Sequence, residues 1–401
     1  MVAVHIVRMS RLRACVTLAH VRYTSTQADP APNPGTRGHM SAWQIHHYGG
    51  NEELTLSSTV RMPTLRSPED ILIEVNAASV NPIDVRMRGG YGRVVFGVMR
   101  KGLSSLPFLQ PDVPSEFPLT LGRDFSGVVV ETGKKVRKFR IGDEVWGAFS
   151  INRQGSHAQF TVASEKEIAK KPAKLTHVEV GSMPYVAMTT WAALCSVGEM
   201  KESNTLGQRV LIVAGSGGIG NFAIQLMKAW GAEVTTTCST DAVHLCQGLG
   251  ADNVIDYTTS NVAEELKRIS GFDMILDTIG AKNHGVSVDL LKSWKNSKYV
   301  TVVPPLMKNA DEYGLLLGTA KSMGTLGFNV MEGFRGGRSY RWALFVPNGR
   351  ALGQVTEMVE NGQIHPAIDK VFPFSEVPQA FAKVEQGHAR GKTVIDVTKM
   401  E

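Results

Sequence analysis

Residues Arg209–Val234 read RVLIVAGSGGIGNFAIQLMKAWGAEV. The apolar, β-branched run RVLIVA predicts a strand, and the glycines at 215, 217 and 220 interrupt it. Apolar residues then recur at helical spacing through GNFAIQLMKAWG (Gly220–Gly231) before a second strand opens at Glu233. The alternation continues with EVTTTC, helical DAVHLCQGLG, short NVIDY, helical NVAEELKRI and strand-like FDMILDTIG (Phe272–Gly280). Strands alternating with helices predict an α/β, doubly wound parallel sheet.

The glycine spacing is that of a phosphate loop. Gly217 lets backbone approach a diphosphate, and Gly220 lets the helix pack close to the strand. The helix start contributes free N–H groups and the positive end of its dipole, so Ser216, Gly217, Gly218, Ile219 and Gly220 are candidate cofactor-binding residues. The alternative is a tight structural turn without a ligand. An NAD site usually carries an acid at the end of the second strand. Here that place holds Cys238, Ser239 and Thr240, which leaves room for a 2′-phosphate. No Lys or Arg follows before Lys267, which counts against NADPH. Asp241 fits a helix N-terminal acid. The balance favours NADPH over NADH.

Upstream the pattern is β-like. DILIEVNAASV (Asp70–Val80), FSGVVVETG (Phe125–Gly133), GDEVWGAF (Gly142–Phe149) and GSHAQFTVA (Gly155–Ala163) read as strands punctuated by Gly, Pro and Asn. After Gly349 an amphipathic helix, LGQVTEMVENG, leads to a terminal strand in GKTVIDV that could return to this first domain. The expected organisation is a leader and linker over 1–40, a β-rich domain over 41–177 completed by 350–401, and an inserted dinucleotide domain over 178–349.

At 401 residues, two domains are the natural expectation. A hydrophobic content of 43% and a charged content of 20% describe a globular chain. Much of the net charge of +6 is local: residues 1–40 hold Arg8, Arg11, Arg13, Arg22 and Arg37 against Asp29 alone. The near-neutral remainder argues against nucleic acid as a partner. Residues 1–28, arginine-bearing and acid-free, have the composition of a mitochondrial transit peptide; a disordered cytosolic tail is the alternative. Pro30, Pro32, Pro34 and Gly35 form a linker, with the fold expected to start near Ser41. No uncharged stretch is long enough to span a membrane. Cys15, Cys195, Cys238 and Cys246 show no C-x-x-C pairing, which suits a reducing compartment and small apolar fillers.

LGRDFSGVVV (Leu121–Val130) sets opposite charges, Arg123 and Asp124, beside an apolar run. Such charges need partners. They either pair locally and brace the cofactor cleft, or Arg123 orients an anionic or carbonyl group of the substrate.

The segments AASVNPIDVRMRGGYG (Ala77–Gly92), LGRDFSGVV (Leu121–Val129), GDEVWGA (Gly142–Ala148), AGSGGIG (Ala214–Gly220), LGADNVIDY (Leu249–Tyr257) and GHARGKTVIDV (Gly387–Val397) run in order along the chain. In this the chain resembles the medium-chain dehydrogenase/reductases, in their zinc-free quinone oxidoreductase branch. The resemblance implies a GroES-like β-rich catalytic domain with an inserted Rossmann domain. It also implies that Asn81 stands where the zinc enzymes have a Cys, and Arg123-Asp124 where they have His-Glu. Arginine repels a cation and asparagine is a poor zinc ligand, so no metal is expected.

Without zinc, hydride transfer suits an acceptor that delocalises charge into its own carbonyl system, a quinone or an enone. By resemblance, Tyr91 is the candidate hydrogen-bond donor, although its spacing from Asn81 is one residue shorter than in zinc-free enoyl reductases; a packed loop aromatic is the alternative. Asn81 would bond near the nicotinamide, and Thr189 would lie at the cofactor. Ser239 and Tyr257 would meet the 2′-phosphate, and Thr278, Ile279 and Gly280 would pass under the cofactor. Lys392 would lie near the cleft, or else be a solvated strand-edge lysine. The resemblance further implies a role in ubiquinone biosynthesis and respiratory-chain function, in the mitochondrial matrix rather than at the outer membrane. A reticulon-type membrane protein is an implied partner, and a homodimer is expected through the edge of the dinucleotide domain. An NADPH-binding scaffold with little turnover and an enoyl-thioester reductase are the competing accounts. Residues 93–117, with basic and apolar side chains and prolines, read as a substrate lid, a membrane-facing patch for a lipid quinone, or a long loop.

Overall fold

The computed structural model describes residues 38–101, 116–280, 286–387 and 389–400. The leader reading and most of the segment 93–117 fall outside them. The first described strand begins at His39, two residues ahead of Ser41. The β-rich half carries β1 (His39–Ile45), β2 (Thr55–Arg61), β3 (Asp70–Val80), β4 (Leu119–Thr120), β5 (Asp124–Thr132), β6 (Glu144–Ala148), β7 (Phe160–Ser164) and β8 (Ile168–Lys170). The α/β half follows with β9 (Arg209–Ile212), β10 (Glu233–Cys238), β11 (Asn253–Asp256), β12 (Met274–Asp277), β13 (Lys298–Thr301) and β14 (Ser339–Trp342). The chain ends with β15 (Ile368–Pro373) and β16 (Lys392–Asp396).

The six strands β11-β10-β9-β12-β13-β14 form one sheet in that order, every neighbouring pair parallel. This is the dinucleotide-fold order 3-2-1-4-5-6, with its reversal beside β9. In the mixed sheet of the β-rich half, β3 is the organising strand. One edge pairs with β5; the other is shared by β7 and by the returning β16, antiparallel in each case. The terminal strand thus does return to the β-rich half.

Each half has its own core. Phe125, Phe149, Phe374 and Phe381 are fully buried in the first, and Leu226, Met227, Leu276 and Val300 in the second. GroES-like and Rossmann-type architectures are both present, as expected.

The helix Leu306–Arg335 was not anticipated, and its pattern explains why. Gly314 (φ 77°, ψ 170°) kinks it. Beyond the kink, the buried positions are Gly318, Ser322, Asn329 and Gly333. Leu316, Leu317, Phe328 and Phe334 instead face outward, each at least 68% exposed. The usual apolar-in, polar-out stripe is inverted, so periodicity gives no core-facing helix. Gly318 is required here, because a Cβ would lie 2.2 Å from the Asn309 carbonyl oxygen on the first arm.

Gly127 fixes the spacing of β3 and β5, since a Cβ there would stand 2.1 Å from the Glu74 carbonyl oxygen. Backbone cannot yield as a side-chain tip can. Gly127→Ala is therefore expected to destabilise the fold by about 3 kcal/mol; an unfolding midpoint equal to that of the parent would contradict this account of the sheet.

Candidate functional site

The phosphate loop lies between β9 and the helix Gly218–Ala229, whose N-terminus has no side-chain cap. Its first N–H groups are left for another acceptor. A Cβ at Gly220 would lie 2.2 Å from the Ala214 carbonyl oxygen, so only glycine permits this approach of helix to strand. At Gly217 the nearest atom to such a Cβ is 3.5 Å away, so the chain itself places no demand for glycine there. A ligand resting against that backbone supplies one.

This loop forms one wall of a cavity of about 460 Å³. Ser216, Gly217, Gly218, Ile219, Gly220, Ser239, Tyr257, Thr278 and Ile279 line it from the parallel sheet. Asn81 and Lys392 line it from the β-rich half. Three expected residues do not. Thr189 is buried behind the wall, its hydroxyl donating to the Tyr185 carbonyl at 2.7 Å. Gly280 donates its N–H to Asp277 Oδ1 at 2.8 Å, securing the turn after β12. Tyr91 packs edge-on to Phe96, with the Arg86 guanidinium 5.9 Å from its ring centre.

Strand pairing explains the meeting of Asn81, Asp124 and Lys392. Ala78 pairs with Phe125, which brings Ser79 opposite Asp124. Thr393 pairs with Val80, which brings Lys392 opposite Asn81. Three strand ends therefore converge on one polar cluster. The Asp124 carboxylate accepts from the Ser79 hydroxyl (2.7 Å), the Ser79 amide (3.1 Å), Asn81 Nδ2 (3.2 Å) and the Tyr185 amide (3.2 Å). Lys392 Nζ donates to Asn81 Oδ1 at 2.6 Å and, more weakly, to the Val80 carbonyl. Lys392 is thus a buried cation rather than a solvated edge lysine.

Arg123 and Asp124 do not pair locally. Successive residues of extended chain point to opposite sides, so Arg123 faces away from Asp124. Its guanidinium donates to the Arg153 carbonyl at 3.1 Å and lies 3.9 Å from Asp84 Oδ1. Asp84 also accepts from the amides of Asn81 (2.8 Å) and Gly122 (3.0 Å). Two acids and two bases are thus buried together: Asp84 with Arg123, and Asp124 linked to Lys392 through Asn81. Burial pushes both carboxyl pKa values up and both bases down, and the opposite charges counter it. Arg123 does not reach the cavity wall, which removes it as a substrate-orienting group.

Sequence reasoning missed Tyr185 and Arg390. Tyr185 lines the cavity, stacked on Phe345 with ring centres 4.5 Å apart. Burial raises its phenol pKa, keeping the proton on. Arg390 lines the far end of the cavity with Ser239 and Tyr257, and is ion-paired with Asp241. The base absent after β10 arrives from 149 residues away. The only signal for it was the GHARGKTV segment, whose arginine was passed over for its lysine.

Two family models match the chain. One, described as an alcohol dehydrogenase GroES-like domain, spans residues 67–173; the other, a zinc-binding dehydrogenase, spans 249–395. The chain belongs to the medium-chain dehydrogenase/reductase superfamily. Within it, the chain is 46% identical over 358 residues to the mitochondrial NAD(P)H oxidoreductase RTN4IP1 of Danio rerio, covering 89% of this chain and 91% of that one. It is 36% identical over 357 residues to the mitochondrial Reticulon-4-interacting protein 1 of Caenorhabditis elegans, covering 89% and 94%. Among solved structures it is similar to the quinone oxidoreductase of Coxiella burnetii, at 30% identity and a TM-score of 0.70, over 90% of this chain and 99% of that one.

The cluster also sets a pH response. His157 donates from Nε2 to the Ser79 carbonyl at 3.2 Å, and its Nδ1 is buried without a partner. Burial lowers its pKa from 6.5 to about 4. The unfolded chain therefore takes up this proton first. The contribution is fully present above about pH 6.5 and is lost as pH falls through about 4, a difference of about 3 kcal/mol. An imidazole titration by NMR is expected to show one ring still neutral at pH 5; a normal midpoint for His157 would overturn this.

Proposed function

We propose that the chain is an NADPH-dependent oxidoreductase that delivers hydride to a quinone or conjugated carbonyl without a metal ion. One observation carries the reading: a single cavity joins an uncapped helix N-terminus, a basic residue beside Ser239 and Tyr257, and the buried Asn81–Lys392 pair. The loop amides and the helix dipole hold a diphosphate. Arg390, with Ser239 and Tyr257, supplies what a 2′-phosphate requires, a guanidinium among hydroxyl groups. NADPH, when bound, supplies the hydride. Lys392, held by Asn81 at the cavity wall, offers a preorganised N–H donor, and Asn81 an oriented amide.

The donor set does not suit zinc. Asn81 is a weak ligand, and the Asp124 carboxylate is taken up by four donors. A divalent ion beside Asn81 would also meet the Lys392 ammonium. An acceptor that spreads charge into its own carbonyl suits such a site better than a simple ketone. The quinone reading gains support from the name of the Coxiella burnetii structure. The names of the relatives and the acid-free residues 1–28 support a mitochondrial setting, where ubiquinone chemistry and a reticulon-type partner are the finer readings.

Mixing the NADPH-saturated chain with a short-tail ubiquinone analogue should consume nicotinamide absorbance, and Gly217→Asp should abolish the loss. NADPH binding with no turnover on quinones, enones or enoyl thioesters would favour the scaffold account. Arg390→Gln is expected to raise KM for NADPH about tenfold while moving KM for NADH less than about twofold. Equal changes would remove Arg390 from the 2′-phosphate site.

The inverted helix supports self-association. Its outward Leu316, Leu317, Phe328 and Phe334 lie on the helix that follows β13, and β14 leaves one edge of the parallel sheet unpaired among the described residues. A second copy covers both through a two-fold axis. Light scattering is expected to give a dimer, and Phe328→Glu a monomer; a monomeric parent would remove this reading.

A further inference from the structure

We infer that Asp311 is a positioning residue for the acceptor side of the site, clamping the loop that carries Tyr91. This rests on the proposed reductase reading with Tyr91 as the hydrogen-bond donor to the acceptor, the role the family resemblance implies for a residue that stands outside the phosphate-loop cavity.

Within the loop the Tyr91 amide donates to the Arg86 carbonyl at 2.9 Å and the Gly90 amide to the Met87 carbonyl at 3.0 Å, which leaves the Gly92 amide to an acceptor from elsewhere. Tyr91 stands between Gly90 (φ 88°) and Gly92 (φ 78°), two positions in the left-handed region that leave the backbone free to turn either way. The helix Arg93–Lys101 that follows has no acidic residue in its own first turn to meet its leading N–H groups. Asp311 provides that acceptor from 219 and 217 residues away. Its Oδ2 accepts from the Gly92 amide at 2.5 Å, and its Oδ1 from the Val94 amide at 3.1 Å. One carboxylate therefore fixes the residue after Tyr91 and the start of the next helix together. Its charge also complements the positive end of that helix.

Asp311 sits on the short arm of the kinked helix, three residues before Gly314. Two residues earlier, Asn309 donates to the Ser322 hydroxyl at 2.9 Å, which ties this arm to the long arm of the same helix. The Arg86 guanidinium on the helix Pro82–Arg88 lies 5.9 Å from the Tyr91 ring centre, and the charges of Arg86 and Asp311 both act on its phenol. Burial raises the Tyr91 pKa most; Arg86 opposes this and Asp311 adds to it. A nearby negative charge disfavours phenolate, so Asp311 does two things at once. It fixes where Tyr91 stands and helps to keep its proton on.

A purely structural role would change stability and leave the Tyr91 ionisation alone. The test uses the full chain with NADPH and a short-tail ubiquinone analogue. Asp311→Asn is expected to raise KM for the quinone about fivefold with NADPH affinity, read by cofactor fluorescence, changed less than about twofold. The basic limb of kcat/KM should move to lower pH in Asp311→Asn and return in Asp311→Glu, which keeps the charge. Tyr91→Phe should remove that limb, and adding Asp311→Asn to it should cost little more. A folded Asp311→Asn with parental KM and pH limb, beside an impaired Tyr91→Phe, overturns the clamp and leaves the Tyr91 reading standing. Tyr91→Phe with parental kinetics overturns the Tyr91 reading, and the role of Asp311 with it. If Asp311→Asn fails to fold, hydrogen exchange decides in the parent chain: slow exchange at the Gly92 and Val94 amides supports the clamp, and fast exchange overturns it.

Discussion

The fold depends on four charges buried where β3, β5 and β16 end together. Taking a carboxylate or ammonium out of water costs several kcal/mol even in a relaxed protein interior, and removal of one partner leaves the other uncompensated. Asp84, Arg123, Asp124 and Lys392 avoid that outcome collectively. Each acid has a base in reach, and each carboxylate also accepts at least two backbone amides. The amides come from three different segments: the end of β3, the turn before β5, and the start of the helix Pro184–Thr190. The charge balance is thus also a geometric constraint, since these segments can approach only if the network closes. Asn81 is the hinge of it, with its amide nitrogen on Asp124 and its oxygen on Lys392.

A second constraint comes from close backbone approach. Gly220 and Gly127 each hold a position where a single methyl group would meet a carbonyl oxygen at about 2 Å. One allows the phosphate-loop helix to stand on its strand; the other draws β5 against β3. Both serve the same end, because the loop after β9 and the end of β3 both line the cavity. The cluster and the loop face each other only while these two spacings hold.

What could be read from sequence was what repeats locally. Strand and helix periods in 209–280 are short-range signals, and the observed elements from β9 to β12 match them within a few residues. The phosphate-loop glycines, Ser239 and Tyr257 fall on the cavity because they sit at strand ends of that regular unit. Failures came where partners are remote or where the usual pattern is inverted. Arg123 and Asp124 are adjacent in sequence and so seemed a pair, yet strand geometry sends them to different partners. Arg390 reaches Ser239 only through the return of the C-terminal strand. Asp311 reaches Gly92 across more than two hundred residues. The helix Leu306–Arg335 hides because its buried stripe is small and polar while its apolar side faces out.

The charge layout of the cavity follows the shape of a dinucleotide better than that of a simple metal-site alcohol substrate. Positive potential is placed at the Arg390 end and at the uncapped start of the helix Gly218–Ala229. A second basic side chain, Lys392, lies beside the same loop, about 3 Å from where a Cβ on Gly218 would stand. Between them the walls are Val80, Val186, Ile219 and Ile279. Separated anionic groups joined by flat, largely apolar rings satisfy that sequence of surfaces. A buried lysine already held by Asn81 need not reorganise if negative charge develops nearby, and the proposed metal-independent reaction would draw on preorganisation of this kind. The same burial that makes Lys392 costly to the fold would make it useful to the proposed hydride transfer.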